Sequence, residues 1–234
     1  MKKNKVGMLG ASGRMGQEIL LCLEGQTKFE AFLGWSNQKE ETGYKHSVTK
    51  LEPDLVDKVD IWLDFSTPEA LMSALPKIGR SKKPIISGTT GMSEIQMKKL
   101  NSLSTSAPVM WSSNMSLGIA VLMKTIENLN LISHFDFQIE ETHHKLKKDR
   151  PSGTALSLQK KLQKVVKKNL PPAVSMRGGG VVGVHKIWAY GTEETLCFEH
   201  TALQRQVFAR GAIWAAERLL KKQNGFYVFG DLLK

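Results

Sequence analysis

Cysteine, tyrosine and long apolar runs are scarce in this chain of 234 residues, and each shortage removes a class of protein. The two cysteines, Cys22 and Cys197, lie far apart and outside any CxxC. That argues against a disulfide scaffold and leaves two reduced packing residues, as expected of a cytoplasmic protein. None of the three tyrosines has a lysine four positions on, so the YxxxK pair of short-chain dehydrogenases is missing. No apolar run approaches the roughly 20 residues of a membrane span. The basic start, Met1 to Lys5, leads into Val6-Gly7-Met8-Leu9 and then glycines, not into the apolar core of a signal peptide. There is no internal repeat, no low-complexity segment, no arginine-rich helix and no Cys/His finger. The formal net charge of +11 comes from scattered lysines, which argues against a nucleic-acid binder.

What is present is a strand followed by a glycine turn. Residues 5–10 read as a short buried strand. Gly10-Ala11-Ser12-Gly13-Arg14-Met15-Gly16 follows, and Met15, Ile19, Leu20 and Leu23 recur at helical spacing. Gly10 permits a tight turn, Gly13 lets backbone approach a pyrophosphate, and Gly16 lets helix pack on strand. The spacing is GxxGxxG, longer than the common GxGxxG, and it points to a dinucleotide. The second strand, 29–35, ends in Ser36-Asn37-Gln38-Lys39. No carboxylate there would repel a 2′-phosphate, and Lys39 and Arg14 would attract one, which points towards NADPH or use of both cofactors. Glu40 and Glu41 lie slightly later and remain available to the ribose.

Residues 36–57 carry few apolar positions and read as a short, poorly structured crossover. Further strands at 60–65, 84–87 and 108–111 end in Phe65-Ser66-Thr67, Gly88-Thr89-Thr90 and Ser113-Asn114-Met115. In a doubly wound sheet these loops share the carboxyl edge with the glycine turn, where ligands bind. Ser66 with Glu69, and Ser93 with Gln96, have the spacing of capping boxes. Leu117, Val121, Leu122, Ile126 and Leu129 then mark a helix that leaves this domain. A strand alternates over 135–143, a helix runs through Ala155, Leu158, Leu162 and Val165, and two strands near 181–190 and 195–202 flank Gly191-Thr192-Glu193-Glu194. A small-residue helix from Gln206 and a strand-like 226–229 close the chain. The expected fold is α/β: an N-terminal Rossmann-like, doubly wound parallel sheet, then an α+β domain with a mainly antiparallel open sheet. The expected division is 1–114, completed by 206–234, against 115–205.

The densest chemistry lies in residues 141–156. Period two places Glu141 and His143 on the apolar face and Thr142 and His144 on the other. A histidine is the natural proton donor near neutral pH. Lys145, Lys147, Lys148 and Arg150 outnumber Asp149, and they lead into Pro151-Ser152-Gly153-Thr154, which reads as a helix start whose free N–H groups bind anions. Cations, backbone donors and hydroxyls converging on one spot suit one carboxylate, or two. The same cations disfavour protonated His143 in the empty site, and a bound dianion would offset them. No metal is expected: adjacent strand residues point to opposite faces, and no third histidine stands at helical spacing.

These motifs, in this order, resemble the 4-hydroxy-tetrahydrodipicolinate (dihydrodipicolinate) reductase family over the whole chain. The Glu141-Thr142-His143-His144 stretch with Lys147 and Ser152-Gly153-Thr154-Ala155-Leu156 is its most specific part, with Arg177-Gly178-Gly179 downstream. The resemblance implies NAD(P)H-dependent reduction of a cyclic imine dicarboxylate in the diaminopimelate route to lysine. It implies His143 as proton donor, with Lys147 supporting it and binding a carboxylate. Ser152, Gly153 and Thr154 would hold the other carboxylate, and His144 would help to bind substrate. Residues 10–16, Lys39, Phe65, Ser66, Gly88, Thr89, Thr90, Ser113, Asn114 and Met115 would bind the cofactor, as would Arg205, which would stand near a hinge. A homotetramer built through the second domain's sheet is implied as well. Three departures stand out: trimmed segments at 36–57 and before Arg177, no acid closing the second strand, and Gly180 where relatives often carry Asp. Two other readings stay open, another two-domain NAD(P)-dependent amino-acid dehydrogenase and a non-catalytic dinucleotide sensor.

Overall fold

In the computed structural model, which describes residues 2–38 and 41–233, two units of chain each enclose their own core. Unit 1 is Met1–Met115 with Phe208–Lys234, and unit 2 is Ser116–Val207. The first division falls one residue after the expected one, and the return falls two residues after.

Unit 1 holds seven strands: β1 (Asn4–Leu9), β2 (Phe29–Trp35), β3 (His46–Val48), β4 (Ile61–Asp64), β5 (Ile85–Ser87), β6 (Pro108–Trp111) and, returning from the end of the chain, β11 (Gly225–Tyr227). All pair in parallel, in the order β11-β6-β5-β4-β1-β2-β3. The sheet runs outward in both directions from β1 and β4, so the turn after β1 lies at the topological switch point. The connecting helices are α1 (Arg14–Leu23), α2 (Pro53–Val56), α3 (Pro68–Ile78) and α4 (Glu94–Ser102), with α7 (Gln206–Leu219) bringing the chain back. Helices on a parallel sheet require strands that are apolar throughout. β4, Ile-Trp-Leu-Asp, is buried at every position and meets that condition except at its last residue, Asp64.

Two local readings are corrected. The crossover after β2 carries structure at 46–48 and 53–56: β3 joins the sheet beside β2, and Pro53 starts a short helix. The cap of α3 is Thr67, whose hydroxyl accepts from the Ala70 N–H, because the Ser66 hydroxyl turns back to Asp64. Ser93 and Gln96 do form a capping box, on α4.

Unit 2 carries a four-stranded sheet in the order β10-β9-β7-β8. β7 (Asp136–His143), β9 (Gly183–Tyr190) and β10 (Thr195–Ala202) are antiparallel neighbours. β8 (Val174–Arg177), which the sequence reading left out, adds a parallel edge to β7. α5 (Leu117–Thr125), its 3₁₀ continuation to Ile132, and α6 (Gly153–Val166) cover one face, and their apolar residues pack on Phe137, Ile139, Ile187 and Ala189. No helix among the described residues is long and apolar enough to cross a membrane.

Candidate active site

In unit 1 the glycine turn leaves β1 at Gly10, whose φ of +81° places it in the left-handed region that favours glycine. A Cβ on Gly16 would lie 2.4 Å from the Gly10 carbonyl oxygen and 2.5 Å from that of Ala11, so α1 starts against its own turn. Gly13 caps α1 with no side chain bonded to the helix, and Ser12, Gly13 and Arg14 are exposed. Exposed N–H groups at a helix start beside an exposed arginine suit a pyrophosphate, so the residues present fit a dinucleotide. Met15 is half-buried behind the turn.

The other loops named from the sequence gather at the same sheet edge. Phe65 follows β4, and a Cβ on Gly88 would lie 2.4 Å from its ring, so the two are in contact. Trp111 donates its indole N–H to the Thr89 carbonyl at 2.9 Å, tying the β6 end to the β5 loop. Thr90 and Ser113 are exposed, Asn114 is half-buried and Met115 is buried. Beyond β2 the chain does not splay outward: Gln17 donates to the carbonyls of Ala11 and Thr42, and the Tyr44 hydroxyl donates to that of Gly16. Lys39 lies outside the described residues. Arg205 sits half-buried in the turn before α7, within unit 2.

Unit 2 holds the histidine expected to be the proton donor. β7 alternates as read, which buries Glu141 and His143 on the helix-covered face. The His143 Nδ1 is bonded to Glu141 Oε2. A Cβ on Gly183 would lie 3.0 Å from Nε2, so glycine leaves that nitrogen uncovered. Glu141 also accepts from Arg177, at 3.0 Å on Oε2 and 2.8 Å on Oε1, and from the Ser152 N–H at 3.3 Å. Such a bidentate, charge-assisted pair fixes the carboxylate plane and with it the imidazole. Burial alone would raise the Glu141 pKa, but the Arg177 guanidinium, the Ser175 hydroxyl and His143 bring it down to about 2. The His143 pKa is lowered, chiefly by burial; Glu141 opposes the shift, while Lys147 and Arg177 add to it.

The lysine loop is shaped from beneath. Arg177 donates to the carbonyls of Asp149 at 2.6 Å and Lys147 at 3.3 Å, and the Gly178 N–H donates to the His143 carbonyl. Lys147 pairs with Asp149 at 2.9 Å and keeps a quarter of its side chain exposed. α6 begins at Gly153, with Ser152 as its cap. Ser152 is 2% exposed; its hydroxyl accepts from the Ala155 N–H and shares a hydrogen bond with His185 Nε2 at 3.2 Å. Gly153 is exposed and Thr154 and His144 are half-buried.

β7, the loop and the start of α6 therefore bring His143, Lys147, Ser152, Gly153 and Thr154 together in one unit. Sequence reasoning missed three partners. Glu141 stood two residues from His143 on the same face, which was the available signal. Arg177 and His185 come from β8 and β9, and nothing local announces their contacts.

The chain matches two models of known families: dihydrodipicolinate reductase, N-terminus, over residues 4–115, and dihydrodipicolinate reductase, C-terminus, over residues 118–233. It is 49% identical over 233 residues to the 4-hydroxy-tetrahydrodipicolinate reductase of Bdellovibrio bacteriovorus, covering all of this chain and 97% of that one. It is 34% identical to the enzyme of that name from Campylobacter lari, covering 97% and 98% of the two chains. Among solved structures, a dipicolinate-bound dihydrodipicolinate reductase from a Paenisporosarcina species superposes with a TM-score of 0.80 at 20% identity, over 97% and 98% of the two chains.

Proposed function

The chain belongs to the dihydrodipicolinate reductase family, and from that premise we infer that it reduces 4-hydroxy-tetrahydrodipicolinate to tetrahydrodipicolinate in the diaminopimelate route to lysine, with NADPH and/or NADH as reductant. The observation that carries this reading is a buried Glu141–His143 pair standing beside the start of α6 and a lysine loop. When bound, the nicotinamide supplies the hydride.

The chain's own residues do the rest. Unit 1 holds the cofactor: the Gly10–Gly16 turn takes the pyrophosphate, and the Phe65–Ser66, Gly88–Thr90 and Ser113–Met115 loops form the groove. Unit 2 holds the substrate. Gly153 and Thr154 bind one carboxylate from the N-terminus of α6, and Lys147 with His144 binds the other. Ser152, being buried, acts from below by fixing the helix start to Glu141 and His185. Glu141 holds Nδ1 of His143, so the proton leaves from Nε2, the nitrogen beside Gly183. Burial chiefly lowers the His143 pKa, and Lys147 and Arg177 add to it; a substrate of charge −2 favours the imidazolium against both, so binding loads the acid it requires.

The uncovered face of the unit 2 sheet supports self-association as a homotetramer. Val174, Met176 and Tyr190 are exposed there, and Trp188 stacks on Tyr190. The protein is a cytoplasmic biosynthetic enzyme on this reading.

Activity is tested by condensing pyruvate with aspartate semialdehyde in situ and following NADPH absorbance. We expect oxidation that depends on both precursors and is largely lost in His143→Gln. An enzyme that binds NADPH yet leaves fresh substrate unreduced would overturn the reading.

A further inference from the structure

Asp64 is the buried ionisable group of unit 1 that the chemistry above does not use. It ends β4 and is 0% exposed. Among the described residues no cation pairs with it, and burial raises its pKa against the hydrogen bonds it accepts. A lone carboxylate away from water is costly unless donors surround it. Here the donors come from two different loops. The Ser66 N–H and hydroxyl both donate to Oδ1, which folds the chain back immediately after the strand. The Ser87 hydroxyl, on β5, donates to Oδ2 at 2.6 Å. That hydroxyl also accepts from the Thr89 N–H at 3.3 Å, and the Gly88 N–H donates to the Asp64 carbonyl at 2.8 Å. One side chain thus sets the conformation of residues 65–67 and 88–90 together. Phe65 in turn abuts the glycine turn: its carbonyl oxygen would lie 2.8 Å from a Cβ on Gly10.

We propose that Asp64 is a positioning residue for the cofactor groove, its carboxylate joining the loops after β4 and β5 into the single surface that receives the nicotinamide half of the cofactor. The proposal rests on the assignment of unit 1 as the cofactor unit. A carboxylate suits the task because both loops present donors. Asparagine in its place must turn an NH₂ towards one of them. Turned towards Ser87, it leaves that hydroxyl accepting twice, with no acceptor for its own proton.

The test measures NADPH affinity by quenching of tryptophan fluorescence at 25 °C, alongside thermal unfolding, in wild type, Asp64→Asn, Ser87→Ala and the double variant. Asp60→Asn serves as control: it removes the same charge just before the other end of β4, where the carboxylate accepts from the Lys5 N–H at 2.8 Å. We expect Asp64→Asn to raise the NADPH Kd about tenfold to a hundredfold, as for a lost hydrogen bond to a charged group. Ser87→Ala should raise it less, and the double variant should be no worse than Asp64→Asn alone, because the two act through one bond. Asp60→Asn, which keeps an oxygen to accept from the Lys5 N–H, should leave Kd unchanged. A folded Asp64→Asn with wild-type Kd, or a Kd rise equal to that of Asp60→Asn, would overturn the proposal. If Asp64→Asn does not fold, Ser87→Ala decides it: an unchanged Kd overturns, a raised one supports. A wild-type chain that binds no NADPH would instead remove the assignment of unit 1.

Discussion

The role proposed for His143 depends on the residues that hold its ring. Glu141 orients it, Arg177 orients Glu141, and Ser152 adds a backbone donor to the same carboxylate. Loss of a general acid typically costs ~10²–10⁴ in rate, so His143→Gln should lower kcat by that range and leave the substrate KM little changed. Lys147→Ala should raise KM as well if that lysine binds a substrate carboxylate as proposed; steady-state kinetics separate the two. The same buried groups set the acid stability. Glu141 titrates at about 2, below its ordinary 4.5, so the carboxylate contributes stability that is full above 4.5 and is lost as pH falls towards 2. His185 is held by burial at about 3 instead of 6.5, so the unfolded chain binds its proton first and stability falls from pH 6.5 downward. Between pH 6.5 and 4.5 the urea midpoint should fall less steeply in His185→Gln than in wild type. A profile unchanged by that substitution would contradict the assignment. Glu141→Gln leaves Arg177 as an unpaired buried charge, a loss of about 3–5 kcal/mol at neutral pH.

At the scale of elements, close approach explains more than propensity does. A Cβ on Gly211, in α7, would lie 1.7 Å from the Met115 carbonyl oxygen, so the returning helix rests directly on the end of the Ser113–Met115 loop. Gly211→Ala should destabilise by about 1–3 kcal/mol in calorimetry. Gly230→Ala, with nothing within 4 Å, should stay within about 0.5 kcal/mol. Equal effects would contradict the contact. The strands ending in the cofactor loops were legible because each is a short apolar run closed by small polar residues, and β7 because its alternation is regular. β3 and β8 were not legible. Each is short and sits on an edge, His46–Val48 and Val174–Arg177, and is only partly buried, so each lacks the apolar signature of an inner strand. The capping error at Ser66 has the same character. Local spacing proposed a cap, and a tertiary partner, Asp64, took the hydroxyl.

At the scale of the molecule, the proposed function gives each unit one half of a reduction, a cofactor groove at a switch point and a dicarboxylate clamp over an acid. The motif order made that division readable, while the Glu141–Arg177–His185 support, spread over three strands of one sheet, needed the fold. The exposed face with Trp188 and Tyr190 leads to an expectation of tetramers in sedimentation equilibrium at micromolar concentration, and Trp188→Glu should shift them to smaller species; a wild-type monomer would contradict it. The central proposal is that a bound dicarboxylate loads the proton on His143. Its test is the imidazole pKa of His143 by ¹⁵N NMR, with and without dipicolinate. We expect a pKa below the ordinary 6.5 in the free protein and a clear rise on binding. A pKa that stays in place, or falls, when dipicolinate saturates the site would contradict it.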